Sequence, residues 1–586
     1  MKQRIITKAA NRGAMLALAA LPIIWVAGCG KSEQTALAPE AETESAPVIM
    51  VAEATQAKPA ADNQAAAADS PAATAGAQLF TRHCASCHGE TGDGNGIAAR
   101  YLYPKPRNFR DGHFRMITTA NSVPTDDDLM RVILRGMPGS AMLPVAAHLS
   151  ETDRKALVTH IRELMKQGVE ARIRAAAEES GDEVDPEELK QQVESHTKPG
   201  DVVVVPKDLP ASDDASIARG REIYVKSCAT CHGDTGKGDG VQAQRDEFDF
   251  PITPRDFTRG IFKGGRSTEQ IYARITLGIP GTPMPSSPAL KTAEIGDLIN
   301  YVQSLSDPAA TAKSEHKRMK LVAKKTSSTL PDVIPDAIWD ASPATELVVS
   351  PLWWRNYEDP EYQMKAVHDG ESLAIRVSWR DSTQNDRGGQ VEYFTDMAAV
   401  EFFNGTNEPF LGMGSSGDDG EVDVWLWDGT AQNDRKQYSD VDTAHPNMVV
   451  DYYQFEKLNK QTEEYLTGGP RTHPTDLQDK TYITAWGAGN LRSDPTHPAD
   501  ANSIHAKGPG SITMRPRTSQ VVKAVGQYQD GRWTVVLRRP LKIAKEDGIS
   551  IAPGGALSVA FAVWDGSSHD RNGQKMVSIW HELTVE

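Results

Sequence analysis

Two short motifs constrain this chain more than anything else in it. Cys84-Ala85-Ser86-Cys87-His88 and Cys228-Ala229-Thr230-Cys231-His232 both read C-x-x-C-H. At this spacing two thiols can add to the vinyl groups of one haem, and the adjacent imidazole becomes an axial ligand of its iron. A thioredoxin-type pair would sit in a βαβ pattern, which is absent, and a zinc knuckle would need two more Cys or His ligands close by. The chain has 5 cysteines, so after these four only Cys29 remains. Two covalent haem c groups are therefore expected, one on Cys84, Cys87 and His88, the other on Cys228, Cys231 and His232.

An internal repeat surrounds the motifs. Gly136-Met137-Pro138-Gly139-Ser140-Ala141-Met142 returns as Gly278-Ile279-Pro280-Gly281-Thr282-Pro283-Met284, and Pro106-Arg107-Asn108-Phe109 as Pro254-Arg255-Asp256-Phe257. Each unit closes on an amphipathic helical pattern, Ser150 to Met165 and Thr292 to Leu305, opened by a hydroxyl residue suited to capping. The order of helix, C-x-x-C-H, long loop, helix, Met loop and helix resembles a tandem pair of class I cytochrome c domains, over residues 76–166 and 209–308. Glycines and prolines in the Met loop fix an irregular backbone that can hold a thioether against iron. The second axial ligands are assigned as Met142, opposite His88, and Met284, opposite His232. Met116 and Met137 are rivals in the first unit, but only Met142 shares the register of Met284. His/Met ligation raises the potential and suits a carrier. Arg107 and Arg255 can be read equally as partners of haem propionates or as surface residues.

The N-terminus carries Lys2, Arg4, Lys8 and Arg12 ahead of an apolar run ending Val26-Ala27-Gly28-Cys29. That run is too short to span a bilayer and has the layout of a secretory signal. Its end resembles a bacterial lipobox, which implies a signal peptide at 1–28, acylation of Cys29 and a lipid anchor on the periplasmic side of a membrane. Loss of those four basic residues moves the formal net charge of −16 to about −20, which disfavours nucleic acid as a partner. Residues 29–75, rich in Ala, Pro, Glu and Thr, are expected to form a disordered tether. Residues 167–208 read as a charged, solvated helical linker, and 309–329 as a second linker.

From about Leu330 the pattern changes to period-two runs, such as Leu373 to Trp379, Val422 to Trp427 and Trp533 to Leu537. Ten of the 11 tryptophans fall here, which fits a layered β core. The fold class expected is thus multidomain: two all-α cytochrome c domains followed by an all-β sandwich over 330–586. Val367-His368-Asp369-Gly370, Phe410-Leu411-Gly412-Met413-Gly414, Gly526 to Trp533 and Ala562 to Lys575 resemble the haem-b-binding gamma subunit of ethylbenzene dehydrogenase and related molybdenum enzymes. The resemblance implies a non-covalent haem b held between Met413 and Lys575. His445, His473, His497 and His505 lie in Pro- or Asp-containing loops and read as solvated.

By that resemblance the sandwich would dock on a molybdopterin/iron–sulfur oxidoreductase, and the chain would relay electrons to or from a soluble or membrane carrier without catalysing a reaction itself. Two other readings follow from the residues. One is a dihaem cytochrome with a carbohydrate- or lignin-binding sandwich displaying exposed tryptophans. The other is a dihaem peroxidase, which would need one haem with an open or displaceable ligand.

Overall fold

The computed structural model describes residues 71–434 and 501–586, apart from 145–148, 332, 335, 356–358, 389, 410–413 and 415–419, together with 445, 447 and 488–491. Cys29, the signal and most of the tether lie outside these residues, as do Met413, His473 and His497.

The first helical unit contains α1 (Pro71–His83), α2 (Ala85–His88), α3 (Asp126–Arg135), α4 (Glu151–Ser180) and α5 (Pro186–Thr197). The second repeats the plan with α6 (Asp214–Ser227), α7 (Ala229–His232), α8 (Thr268–Leu277), α9 (Thr292–Ser304) and α10 (Pro308–Ser314). Helix starts follow capping chemistry. Thr125 and Ser150 each accept from the backbone N–H three residues on, while Asp128 and Asp153 reach back to the cap, satisfying donors a helix end would otherwise orphan. Helices α1 and α4 of the first unit, and α6 and α9 of the second, cross closely at a glycine. A Cβ on Gly76 would collide with the Ala156 carbonyl oxygen, and one on Gly220 with that of Asp297. The crossing therefore requires hydrogen at both positions.

Two boundaries differ from the sequence-based expectation. Helix α4 does not stop near residue 166 but runs to Ser180, where Gly181 (φ 77°) caps it. Residues 166–180 hold no proline, and their one glycine, Gly168, lies against Arg110 where a side chain would clash. Val169 is buried there. The 167–208 segment also packs on the first unit rather than standing off in solvent: Val203 N–H donates to Thr118 O at 2.8 Å and Ala120 N–H to Asp201 O at 3.0 Å.

Among the described residues the C-terminal part is a 14-stranded sheet, eleven strands of which follow the order β10-β11-β5-β4-β1-β14-β12-β6-β7-β8-β9, while β2 pairs with β4, and β13 with β12 and β3, off that path. Its strands are β1 (Lys320–Lys325), β2 (Thr345–Glu346), β3 (Ser350–Pro351), β4 (Gln363–His368), β5 (Ser372–Arg380), β6 (Met397–Phe403), β7 (Val422–Asp428), β8 (Ala501–Ala506), β9 (Thr513–Met514), β10 (Lys523–Gln529), β11 (Arg532–Pro540), β12 (Ala556–Trp564), β13 (Met576–Val577) and β14 (His581–Val585). The sheet folds over so that its two ends pack face to face. Trp379 on β5 meets Trp427 on β7 at 6.4 Å between ring centroids, and Trp533 on β11 meets Trp427 at 4.9 Å, both edge-on. Such geometry suits the ring quadrupoles.

Strand β1 falls inside the segment expected to be a linker, yet it lies mid-sheet, parallel to both β14 and β4. Its three lysines mask the pattern: Leu321 and Ala323 are fully buried between them. His505 is likewise not in a loop but on β8, with Nδ1 3.1 Å from Glu421.

Candidate haem-binding sites

In the first unit the C-x-x-C-H closes α1 onto α2. Gly89, Gly92 and Gly94 follow with φ of 79°, 74° and 82°, a left-handed region that side chains disfavour. They bend the chain back so that Gly94 N–H donates to His88 O at 2.7 Å and Phe109 N–H to Gly92 O at 2.8 Å. Phe109 thereby stacks on the His88 ring at 4.5 Å, with Phe114 stacked behind it at 5.8 Å. His88 Nδ1 lies 2.9 Å from Arg107 O. A carbonyl only accepts, so Nδ1 carries the proton and Nε2 keeps its lone pair. This is the outer-sphere arrangement usual for a metal-bound imidazole.

The second unit copies the skeleton. Gly233, Gly236 and Gly238 have φ of 76°, 79° and 78°, Phe257 stacks on His232 at 5.1 Å and Phe262 on Phe257 at 5.2 Å. Among the described residues His232 Nδ1 has no hydrogen-bond partner. Burial lowers the pKa of both imidazoles, that of His232 to about 4, so neutral, ligand-competent rings are favoured.

The Met loops are built alike. Met137 N–H donates to Met142 O at 2.7 Å and Ile279 N–H to Met284 O at 3.0 Å. Ser140 Oγ and Thr282 Oγ1 each accept from the methionine N–H at 3.3 Å. A Cβ on Gly136 would lie 2.5 Å from Met142 O, and one on Gly278 2.6 Å from Met284 O. Met142 and Met284 thus occupy one equivalent position. The rival Met116 has its sulfur 3.7 Å from an Arg274 guanidinium nitrogen.

These parts line cavities. One of about 560 Å³ takes in Cys84, Cys87, His88, Met116, Met137 and Met142. Another of about 230 Å³ takes in Cys228, Cys231, His232 and Met284. The free thiols stand where thioether sulfurs would be. Burial pushes Cys84 and Cys87 up to about 12, with the neighbouring Cys87 adding to the shift at Cys84, and burial first raises Cys228 to about 11. The donor set and the apolar walls fit covalent haem c.

The larger cavity does not end at the first unit. Lys575, Gly573, Asn572, Val577 and Leu352 of the sheet domain line it too. A Cβ on Gly573 would press against the Tyr101 ring at 2.7 Å. Tyr103 joins the two parts through backbone: its N–H donates to Leu352 O at 3.0 Å and its O accepts from Trp354 N–H at 2.8 Å. Lys575 is buried, with Nζ 4.9 Å from the centre of the Trp564 ring. Desolvation lowers its pKa, opposed by the nearby Glu401 carboxylate. A buried amine whose proton is disfavoured fits an iron ligand; the expected partner, Met413, lies outside the described residues. Among the described residues no tryptophan is fully exposed, and Trp353 and Trp354 are partly buried.

Sequence reasoning missed Arg115 and Lys263, which also line these cavities. The signal was in the repeat: each directly follows the second stacked phenylalanine, as Phe114-Arg115 and Phe262-Lys263.

Residues 73–165 and 217–306 match the cytochrome c family model, and residues 336–576 match that of ethylbenzene dehydrogenase. A haem subunit assigned to respiratory nitrate reductase in Haloferax mediterranei is 26% identical over 251 residues, 42% of this chain and 65% of that protein. Chlorate reductase subunit gamma of Ideonella dechloratans is 31% identical over 127 residues, 21% of this chain and 52% of that protein. Dimethylsulfide dehydrogenase subunit gamma of Rhodovulum sulfidophilum is 23% identical over 260 residues, 42% of this chain and 71% of that protein. The chain thus spans less than two thirds of the length of the first two.

Proposed function

We propose that this chain, in which two cytochrome c domains precede an ethylbenzene dehydrogenase-type domain, is an electron-transfer subunit of a molybdopterin oxidoreductase, carrying two c haems and one b haem. The observation that carries this reading is the cavity of about 560 Å³ whose lining takes in both Cys84, Cys87 and His88 of the first cytochrome domain and Lys575 of the sheet domain. Candidate iron ligands from two domains on one chamber suit a relay, and the second c-haem chamber adjoins the first through Arg255 and Lys263. The names of the relatives support a molybdoenzyme partner.

Bound haem iron would supply a one-electron ferric/ferrous couple. The chain's own residues do the rest. Arg107 O holds the His88 proton on Nδ1, which orients Nε2. The Gly-x-Pro-Gly loops hold Met142 and Met284 without a surrounding helix. Burial keeps the Lys575 amine available as a lone-pair donor, while Phe109, Phe114, Phe257 and Phe262 exclude water. Matched methionines in both repeats leave neither c site built for an open coordination position, which disfavours a peroxidase.

The exported, membrane-tethered location belongs to this proposal, with Cys29 as the acylated residue and the periplasmic side as the address. Among the described residues no helix is long and apolar enough to cross a membrane. The external carrier that exchanges electrons with the second c haem is a soluble or membrane protein, and nucleic acid is not a partner.

Haem stoichiometry tests the reading. Intact mass of the mature protein is expected to show two covalent haems, and a pyridine haemochrome to show c- and b-type bands near two to one. A c-type band alone would remove haem b, and no covalent haem would overturn the whole reading.

A further inference from the structure

The two c-haem chambers are not sealed from each other. Arg255 and Lys263, both of the second cytochrome domain, line the chamber of their own domain and that of the first. Their counterparts in the repeat are Arg107 and Arg115. Those two already meet carboxylates across the interface: Arg107 with Glu247 at 2.7 Å, and Arg115 with Asp246 at 3.3 Å and Glu247 at 3.4 Å. Arg255 reaches the other way. Its Nε lies 3.2 Å from where a Cβ on Gly139 would stand, so its side chain is set against the Met loop of the first domain. Its guanidinium also sits 5.5 Å from the centre of the Trp354 ring.

Lys263 is the unexplained member of this group. It is partly buried and lines both chambers, and desolvation, then Arg255 and Arg115, push its ammonium pKa well below the ordinary value, with Asp246 only partly opposing. Among the described residues its ammonium has neither a hydrogen-bond nor an ion-pair partner. A partly desolvated cation beside two guanidiniums is unfavourable unless an anion joins it. The anions these chambers would admit are the carboxylates at the edge of bound haem.

We propose that Lys263 and Arg255 form one carboxylate-binding site shared by the two c haems, fixing positive charge between them. This rests on the haem-bound function proposed above and adds to it. A fixed cation lining both chambers would favour the less positive ferrous state of a haem bound in each, and so would raise both potentials together. A residue serving one haem would move only one.

The test is a potentiometric titration of the c-type α-bands in the holoprotein, after intact mass has established that both haems are attached. Lys263→Met keeps the apolar stem and removes the charge. Both midpoint potentials are expected to fall, each by about a tenfold drop in the ferrous-to-ferric ratio at fixed potential, or about 59 mV for one electron. Lys263→Arg is expected to restore both, and Lys237→Met, at an exposed position of the second domain, to leave both in place. Arg255→Gln provides an independent variant with the same paired shift. A fall in one potential only, or in neither, with both haems attached, would overturn the shared site while leaving the proposed function intact. Absence of covalent haem from the wild-type protein would sink both.

Discussion

The two cytochrome domains share a skeleton and differ in their walls. Glycines with left-handed φ, stacked His–Phe–Phe triples and hydrogen-bonded Met loops recur position by position. What surrounds them does not. The first chamber is about 560 Å³ and is completed by residues of the sheet domain, whereas the second is about 230 Å³ and is lined by its own domain. His88 is anchored through Nδ1 to Arg107 O at 2.9 Å, while His232 Nδ1 has no partner among the described residues. A repeated motif can therefore specify a cofactor, but its unrepeated neighbours decide what that cofactor faces. In the proposed relay the first c haem is the middle station between Lys575 and the second c haem.

The largest expected effect comes from the wall that only the first chamber has. Lys575→Ala should abolish b-type absorption while both c haems stay covalently attached, as read by haemochrome and intact mass. Full retention of haem b would break the contrast by removing Lys575 from its coordination.

The shared skeleton makes the next expectation symmetric. Gly76→Ala and Gly220→Ala each drive a methyl into a backbone carbonyl of the facing helix, and overpacking of this kind costs about 1–3 kcal/mol. Denaturant midpoints followed at each domain's haem should fall alike. A large loss in one domain and none in the other would show that the repeats do not cross their helices the same way.

A pH-dependent effect is expected in the sheet domain. Burial lowers His316 to about 4 and His581 to about 3, the latter further depressed by His316 and Arg318. Below about pH 6.5 the unfolded chain binds protons that these folded rings refuse, so stability falls as pH drops toward 4. The limit is about 1.4 kcal/mol per pH unit for each histidine. His581→Gln should flatten that slope in urea titrations of tryptophan fluorescence. An unchanged slope would mean that the ring is protonated in the folded state.

Much of this architecture is legible in the residues. The paired C-x-x-C-H motifs, the recurring Gly-x-Pro-Gly loop and the late period-two strands are local signals, and they lead to two helical cytochrome domains and a sheet-rich domain. Other features are not local. Strand β1 looks like a lysine-rich linker because its parallel pairing with β4 and β14 joins segments far apart in sequence. The continuation of α4 past residue 166 rests on packing that is not local, with Gly168 set against Arg110 and Val169 buried. Arg115 and Lys263 look like surface cations, since their significance arises only where one repeat meets the other. Nothing in period or composition marks Lys575 as a ligand; the resemblance supplied it, and the buried amine in the shared cavity is compatible with that role.

The most direct test of the central claim is the position of the irons. Anomalous diffraction at the iron absorption edge, from crystals of the haem-loaded protein, should give three peaks with the one beside His88 in the middle. The peak beside Lys575 should be nearer to it than to the peak beside His232. Two peaks only, or a middle peak beside His232, would contradict the relay.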